Sequence, residues 1–161
     1  MVYFLSDAHL GSRAIENSEA HQQTIIDMLQ SMANDATAIY LLGDIFDFWC
    51  EYFWCDKSKE QYHPFLQTLK EITNKGIEIH FFIGNHDIWT FGWLEKQTGI
   101  TVHRKPESVV INGKKVFLAH GDGLVPSDYI NGQPKSIRKK IKLFFAQSTQ
   151  RSLRFMTERA R

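Results

Sequence analysis

The chain has 161 residues, enough for one domain with a real core and too few for two catalytic modules. Its composition of 43% hydrophobic, 23% charged and 13% aromatic residues excludes disordered, collagen-like and disulfide-scaffold classes. Net charge is only +1, but residues 134–161 hold nine Lys or Arg against Glu158 and sum to +8, whereas the remaining residues hold ten bases and seventeen acids and sum to −7.

The first predicted strand is Val2–Leu5, a short apolar run just ahead of Asp7. Ser18–Met32 follows as a helix, because Ile25, Ile26, Met28, Leu29 and Met32 recur at helical spacings. A second buried strand is expected over Ile39–Leu42. The second helix spans Gln61–Asn74, built on Phe65, Leu66, Leu69 and Ile72, with Gly76 placed to end it and a third strand over Ile77–Ile83. This alternation predicts a βαβαβ unit with a largely parallel sheet. Val109–Ile111 and Lys114–Ala119 flank Asn112-Gly113, a hairpin signal because both residues tolerate positive φ; the hairpin is expected to join the sheet as an antiparallel element.

Beyond residue 133, Ser136–Met156 mixes Ile137, Ile141, Phe144, Phe145, Leu153, Phe155 and Met156 with six Lys or Arg and reads as a basic amphipathic helix. Such a helix suits an anionic membrane surface or a lipid substrate, or else docks on another part of the fold. No nucleic-acid-binding motif accompanies it, so nucleic acid is not an expected partner. The longest apolar runs, such as Ala38–Leu42, fall far short of the roughly 20 residues of a membrane-spanning helix. With no leader-like start, the expectation is an unexported, cytoplasmic protein. Cys50 and Cys55, the only cysteines, are then expected to be reduced thiols.

Four strand ends carry polar clusters that packing does not require: Asp7-Ala8-His9, Gly43-Asp44, Gly84-Asn85-His86-Asp87 and His120-Gly121-Asp122. The carboxyl ends of parallel strands share one edge, so the clusters can converge on one site. Carboxylates, an amide oxygen and imidazoles suit Mn, Mg, Zn or Fe better than copper. Asp7, His9, Asp44, Asn85 and His120 are the expected ligands of two divalent ions, with Asp44 bridging and with Asn85 and His120 serving the second ion. His86 is expected beside the leaving group, outside the ligand set, with Asp87 holding its ring. Asp47 either orients a neighbouring ligand or caps a turn. Taken singly, these residues have ordinary readings as turn, cap or core residues. It is their recurrence at successive strand ends that points to chemistry. Phe46, Phe48, Trp49, Tyr52, Phe53, Trp54, Trp89, Phe91 and Trp93 crowd the same edge; most are expected in the core, and some in an apolar groove beside the metals.

Asp7-Ala8-His9, Gly43-Asp44-Ile45-Phe46-Asp47, Gly84-Asn85-His86-Asp87 and Ala119-His120-Gly121-Asp122 together resemble the calcineurin-like metallophosphoesterase family. The resemblance covers Tyr3 to Asp122. It implies an α/β fold with mixed sheets, an αββα sandwich, and a dinuclear centre that is commonly manganese. Ser6–Gly11, Asp44–Trp49 and His120–Gly123 look most like the UDP-2,3-diacylglucosamine pyrophosphatases of lipid A biosynthesis. That resemblance implies hydrolysis of a lipid-linked sugar nucleotide to UMP and lipid X, and a helical insertion or lid over residues 134–161 following a core over residues 1–133. At His86 the chain departs from the enterobacterial-type members, which carry Arg there, and agrees with the wider superfamily. It also lacks, after His120, the family's late Gly-His-x-His motif. The expectation is therefore a chain incomplete at its C-terminus. The rival readings are a phosphoesterase of the same fold acting on another phosphodiester or phosphomonoester, and a non-catalytic interaction domain with an incomplete metal centre.

Overall fold

The computed structural model describes residues 1–52 and 59–121. The elements in chain order are β1 (Val2–Leu5), α1 (Ser18–Met32), β2 (Ala38–Leu42), α2 (His63–Asn74), β3 (Glu78–Phe82), α3 (Trp93–Thr98), β4 (Thr101–His103), β5 (Glu107–Ile111) and β6 (Lys114–Leu118). The first four strands form one parallel sheet in the order β1-β2-β3-β4, with Leu5 opposite Leu41, Leu42 opposite Phe82, and Phe82 opposite His103. All four carboxyl ends therefore open on the same edge. Strand β4 and helix α3 are additions to the expected βαβαβ unit; both are too short for a periodic pattern to declare itself.

Each helix starts and stops for a local reason. The Asn17 side chain accepts the Ala20 N–H at 2.9 Å, capping α1, which buries Ile25, Ile26, Leu29 and Met32. Pro64 in the first turn of α2 needs no N–H partner, so the helix begins at His63 and not at Gln61. Just past its end Gly76 takes a left-handed φ of 83°. Helix α2 lies against α1, α3 and β3. Phe46 is its main anchor: fully buried, it stacks on Trp49 at 4.5 Å and meets Tyr62, Phe65 and Phe81 at 4.8, 5.6 and 6.2 Å between ring centroids. A second row of rings, Phe4, Tyr40 and His80, stacks across β1, β2 and β3.

Two expectations need correction. The Asn112-Gly113 hairpin forms as read, with φ values of 51° and 75° and Val109 opposite Val116, but β5 and β6 make a separate two-stranded sheet and do not join the parallel one. Its two positive-φ residues match the strand twist, which fixes the hairpin locally and leaves its partner sheet open. The thiols are not both free: Cys50 is disulfide-bonded. Cys50 itself is buried, at the isolated parallel bridge it makes with Trp89. Cys55, the other cysteine, lies outside the described residues, as do the basic segment 134–161 and Asp122. Among the described residues no helix is long and apolar enough to cross a membrane.

Candidate metal centre

Beyond the strands, the loops after β1 and β2 continue side by side. Asp7 N–H donates to the Gly43 carbonyl at 3.1 Å, His9 N–H to Asp44 at 2.9 Å, and Leu10 N–H to Ile45 at 2.9 Å. This pairing forces three non-glycine residues into left-handed backbone: Asp7 at φ 55°, His9 at 45° and Asp44 at 52°. Such conformations cost roughly 1–3 kcal/mol each and persist only where the surroundings over-determine them. Outside this edge, the described residues hold only one other such case, Asn112, and its hairpin turn explains it.

The strained backbone turns carboxylates and imidazoles toward one point. Asp44, only 4% exposed, directs Oδ2 to within 3.2 Å of His120 Nε2 and 4.0 Å of His9 Nε2, while Oδ1 accepts the His86 N–H at 3.0 Å. His120 Nδ1 lies 2.9 Å from the Leu42 carbonyl, which fixes that nitrogen as the donor and leaves Nε2 for Asp44 or a cation. Two glycines make this approach possible. A Cβ on Gly43 would fall 2.5 Å from the His120 ring, and one on Gly84 would fall 2.2 Å from Asp44 Oδ1.

Potential ligand atoms lie within 4.8 Å of one another in two groups, His9–Asp44–His86 and Asp7–Asp44–His120. Asp44 belongs to both. The donor set is hard and borderline, oxygen with imidazole nitrogen, and carries no thiolate, so it fits divalent ions of the Mg, Mn, Zn and Fe kind. The partition differs from the sequence expectation in two ways. Asp7 groups with His120, and His9 with His86, although His9 Nε2 still stands 4.0 Å from Asp7 Oδ1. His86, expected outside the ligand set, is within ligand reach. Asn85 lies exposed on the loop after β3, outside both groups, in which only histidines and acidic residues are counted.

The two carboxylates expected to be auxiliary have exchanged parts. Asp87 is fully buried, and its carboxylate accepts the N–H of Gly84 at 2.5 Å and of Ile45 at 3.0 Å, tying the loops after β2 and β3 together. Burial pushes its carboxyl up to about 6 against the opposing pull of those N–H groups. Asp87 therefore does not hold the His86 ring; with two backbone donors to satisfy, its oxygens turn inward. Asp47 holds both histidines of one group. Its carbonyl lies 2.6 Å from His86 Nδ1 and its Oδ1 lies 3.3 Å from His9 Nδ1. The Asp47 carbonyl raises the His86 pKa above its ordinary value; burial opposes it, and the charges of Asp44, Asp47 and Asp87 each add a smaller upward push.

Sequence reasoning missed Glu51 and His21. Glu51 accepts N–H groups from the first turn of α3, and His21 of α1 places Nε2 2.7 Å from the carbonyl of Ala8, inside the Asp7-Ala8-His9 turn. Neither could be found by spacing, because each acts on backbone far away in sequence.

A family model described as calcineurin-like phosphoesterase matches residues 1–154. Curated relatives named UDP-2,3-diacylglucosamine hydrolase include one from Porphyromonas gingivalis, 40% identical over 75% of this chain and 45% of its own length. Another, from Haemophilus influenzae, is 30% identical over 78% of this chain and 50% of its own length. The chain thus spans about half the length of the curated relatives it matches. A solved structure from Aquifex aeolicus, of a protein of unknown function, aligns over 92% of this chain and 74% of its own at 18% identity and a TM-score of 0.47, too loosely to add to the argument. The family match spans the strained strand ends, Asp44 and every other residue of the two groups, and on that ground the chain belongs to the calcineurin-like phosphoesterase family.

Proposed function

We propose that the protein is a metal-dependent hydrolase that cleaves the pyrophosphate of UDP-2,3-diacylglucosamine to UMP and 2,3-diacylglucosamine 1-phosphate. The convergence of two groups of ligand atoms on the buried Asp44 carries the hydrolytic reading. The substrate rests on the name shared by the relatives.

In this reading Asp7, His9, Asp44, Asn85 and His120 would hold two divalent ions, manganese first. Bound there, the ions supply Lewis acidity to phosphoryl oxygens and lower the pKa of a water. The protein's own residues do the positioning. Asp47 fixes the rings of His9 and His86, and His9 Nε2 then stands 4.0 Å from Asp44. The His86 imidazole, its Nδ1 held at the Asp47 carbonyl, is suited to stabilise negative charge or protonate the leaving phosphate oxygen. Asp87 serves that chemistry indirectly, by fixing the loop that carries Asn85 and His86.

Beside these residues stands an exposed aromatic lip. Phe48 and Trp89 lie 5.5 Å apart between ring centroids, and Tyr52 and Phe91 5.0 Å apart, all at least 40% exposed. Phe48 adjoins Asp47 in the chain and Trp89 follows His86 by three residues, so both segments that carry the lip also carry residues of the site. The lip is the seat for acyl chains. Residues 1–133 make the core in this scheme, and the basic segment 134–161 is the helical insertion that contacts acyl chains and an anionic membrane surface from the cytoplasmic side.

The test compares manganese-supplemented, full-length gene product on UDP-2,3-diacylglucosamine, on UDP-glucosamine and on a simple aryl phosphodiester. A strong preference for the acylated nucleotide is expected, because remote apolar contacts contribute to transition-state binding. Equal kcat/KM on all three substrates rejects the substrate and retains a general phosphodiesterase; metal-independent or absent turnover rejects the hydrolase.

A further inference from the structure

Asp44, Asp47 and the groups they hold leave Glu51 unused, yet its carboxylate is among the most heavily engaged in the described residues. Glu51 Oε1 accepts Leu94 N–H at 2.9 Å and the Trp49 indole N–H at 3.2 Å, and Oε2 accepts Trp93 N–H at 2.9 Å together with the N–H of Phe91. Four donors meet two oxygens. Three of them are backbone groups: Phe91 in the loop that runs from Asp87 to α3 and carries Trp89, and Trp93 and Leu94 in the first turn of α3.

The contact lies at the end of a ladder. Beyond β2 and β3, Trp49 N–H donates to the His86 carbonyl at 3.2 Å, and Glu51 N–H to the Trp89 carbonyl at 3.0 Å. Segment 49–51 thus runs beside 86–89, and its last residue turns its side chain across the gap to capture 91–94. The lip straddles that junction, since Phe48 and Tyr52 stand on one segment and Trp89 and Phe91 on the other. The far side of the loop is braced separately. Arg104 Nε donates to the Thr90 carbonyl at 3.3 Å while its guanidinium pairs with Glu95 at 2.9 Å. His86 itself is positioned by Asp47 and Asp44, not by Glu51.

We infer that Glu51 is a positioning residue for substrate selectivity: it sets the second half of the aromatic lip, Trp89 and Phe91, at a fixed spacing from the first, Phe48 and Tyr52. This rests on the reading of the lip as the acyl seat. Charge-assisted bonds from a carboxylate to several N–H groups are stronger than neutral ones and hold a loop where a neutral cap would let it fray. A lip that spreads loses ring contacts with an apolar chain, yet the phosphate-binding residues stay where Asp44, Asp47 and Asp87 hold them. Glu51 therefore governs capture of the apolar part and leaves hydrolysis of a small phosphodiester alone.

The experiment uses Glu51→Gln in the full-length gene product with manganese. Glutamine keeps the shape but replaces one acceptor oxygen by an NH2 that faces N–H donors. Hydrogen exchange is expected to speed up at residues 91–94 and to stay unchanged at 84–87. For UDP-2,3-diacylglucosamine, kcat/KM is expected to fall by about tenfold, a change of roughly 1.4 kcal/mol, mainly through KM. Turnover of an aryl phosphodiester should stay within about twofold. Should the glutamine variant fail to fold, Glu51→Asp carries the same comparison, because it keeps both oxygens and withdraws them by one methylene. Unchanged exchange at 91–94 in a folded variant, or an equal loss on both substrates, overturns the inference. If the wild-type protein shows no preference for the acylated substrate, the functional reading has failed; the exchange measurement still decides by itself whether Glu51 holds the lip.

Discussion

Two sets of aromatic side chains come from the same stretches of sequence and meet opposite fates. Phe46 and Trp49 are fully buried with Tyr62, Phe65 and Phe81, whereas Phe48, only one position from Trp49, is 47% exposed and faces Trp89. The stretch from Phe46 to Trp49 is too irregular to be helix or strand, so no simple period assigns its faces. What decides is the pairing of Leu10 with Phe46, which turns Phe46 inward, and the Trp49 N–H bond to His86, which leaves Phe48 on the outer side. A ring in the core should govern stability, and a ring on the lip should govern substrate choice. Mutations sort these roles.

The largest effect is expected outside both sets, at Asp44. Asp44→Ala should lower metal-dependent turnover by at least about 10²–10³-fold, the scale for removing one stabiliser of transition-state charge. Thermal melting should remain cooperative. Metal content and rate measured on the same preparation check this, and near-wild-type turnover would remove Asp44 from the centre. Next is Phe46→Ala, which should cost about 3–5 kcal/mol of stability, because the cavity lies under four other rings. Denaturant unfolding reads this directly; a loss below about 1 kcal/mol would mean that the rings collapse into the space.

Tyr62 gives an intermediate effect with a defined pH dependence. Its hydroxyl donates to the Leu10 carbonyl at 3.0 Å and approaches that of Phe48 at 3.4 Å, and burial, followed by the charge of Asp47, pushes its pKa up to about 12 from 10.0. The folded state thus favours the protonated phenol. The resulting stability is fully present below pH 10 and is lost as pH rises through about 12. Tyr62→Phe should cost about 1 kcal/mol at neutral pH, for one lost buried hydrogen bond, and should remove part of the alkaline loss of stability. Melting temperatures of both proteins from pH 8 to the alkaline limit make the comparison, and parallel curves would contradict it.

The smallest stability change belongs to the lip. Trp89→Ala should alter unfolding free energy by about 0.5 kcal/mol or less, as for other exposed positions, while raising KM for the acylated nucleotide and sparing a small phosphodiester. A large drop in melting temperature would place Trp89 with the core set and undo the division.

The sequence by itself determined the strand ends. Short apolar runs closing on Asp7, Asp44, Gly84 and His120 were legible because a buried parallel strand reads as a continuous apolar segment, and whatever polar residue follows it must sit at the edge. Residue types alone also indicated a hard, thiolate-free donor set and the Asn112-Gly113 hairpin, since both depend only on neighbours in the chain. Which group each residue serves was decided by tertiary structure. His86 came within ligand reach, Asp47 took the ring that Asp87 was expected to hold, and Glu51 captured the start of α3 some forty positions away, because each of these depends on segments beyond different strands being laid side by side. The physical reason is that hydrogen bonds between loops are set by backbone direction, and three left-handed residues at this edge reverse the direction that extended strands would have given.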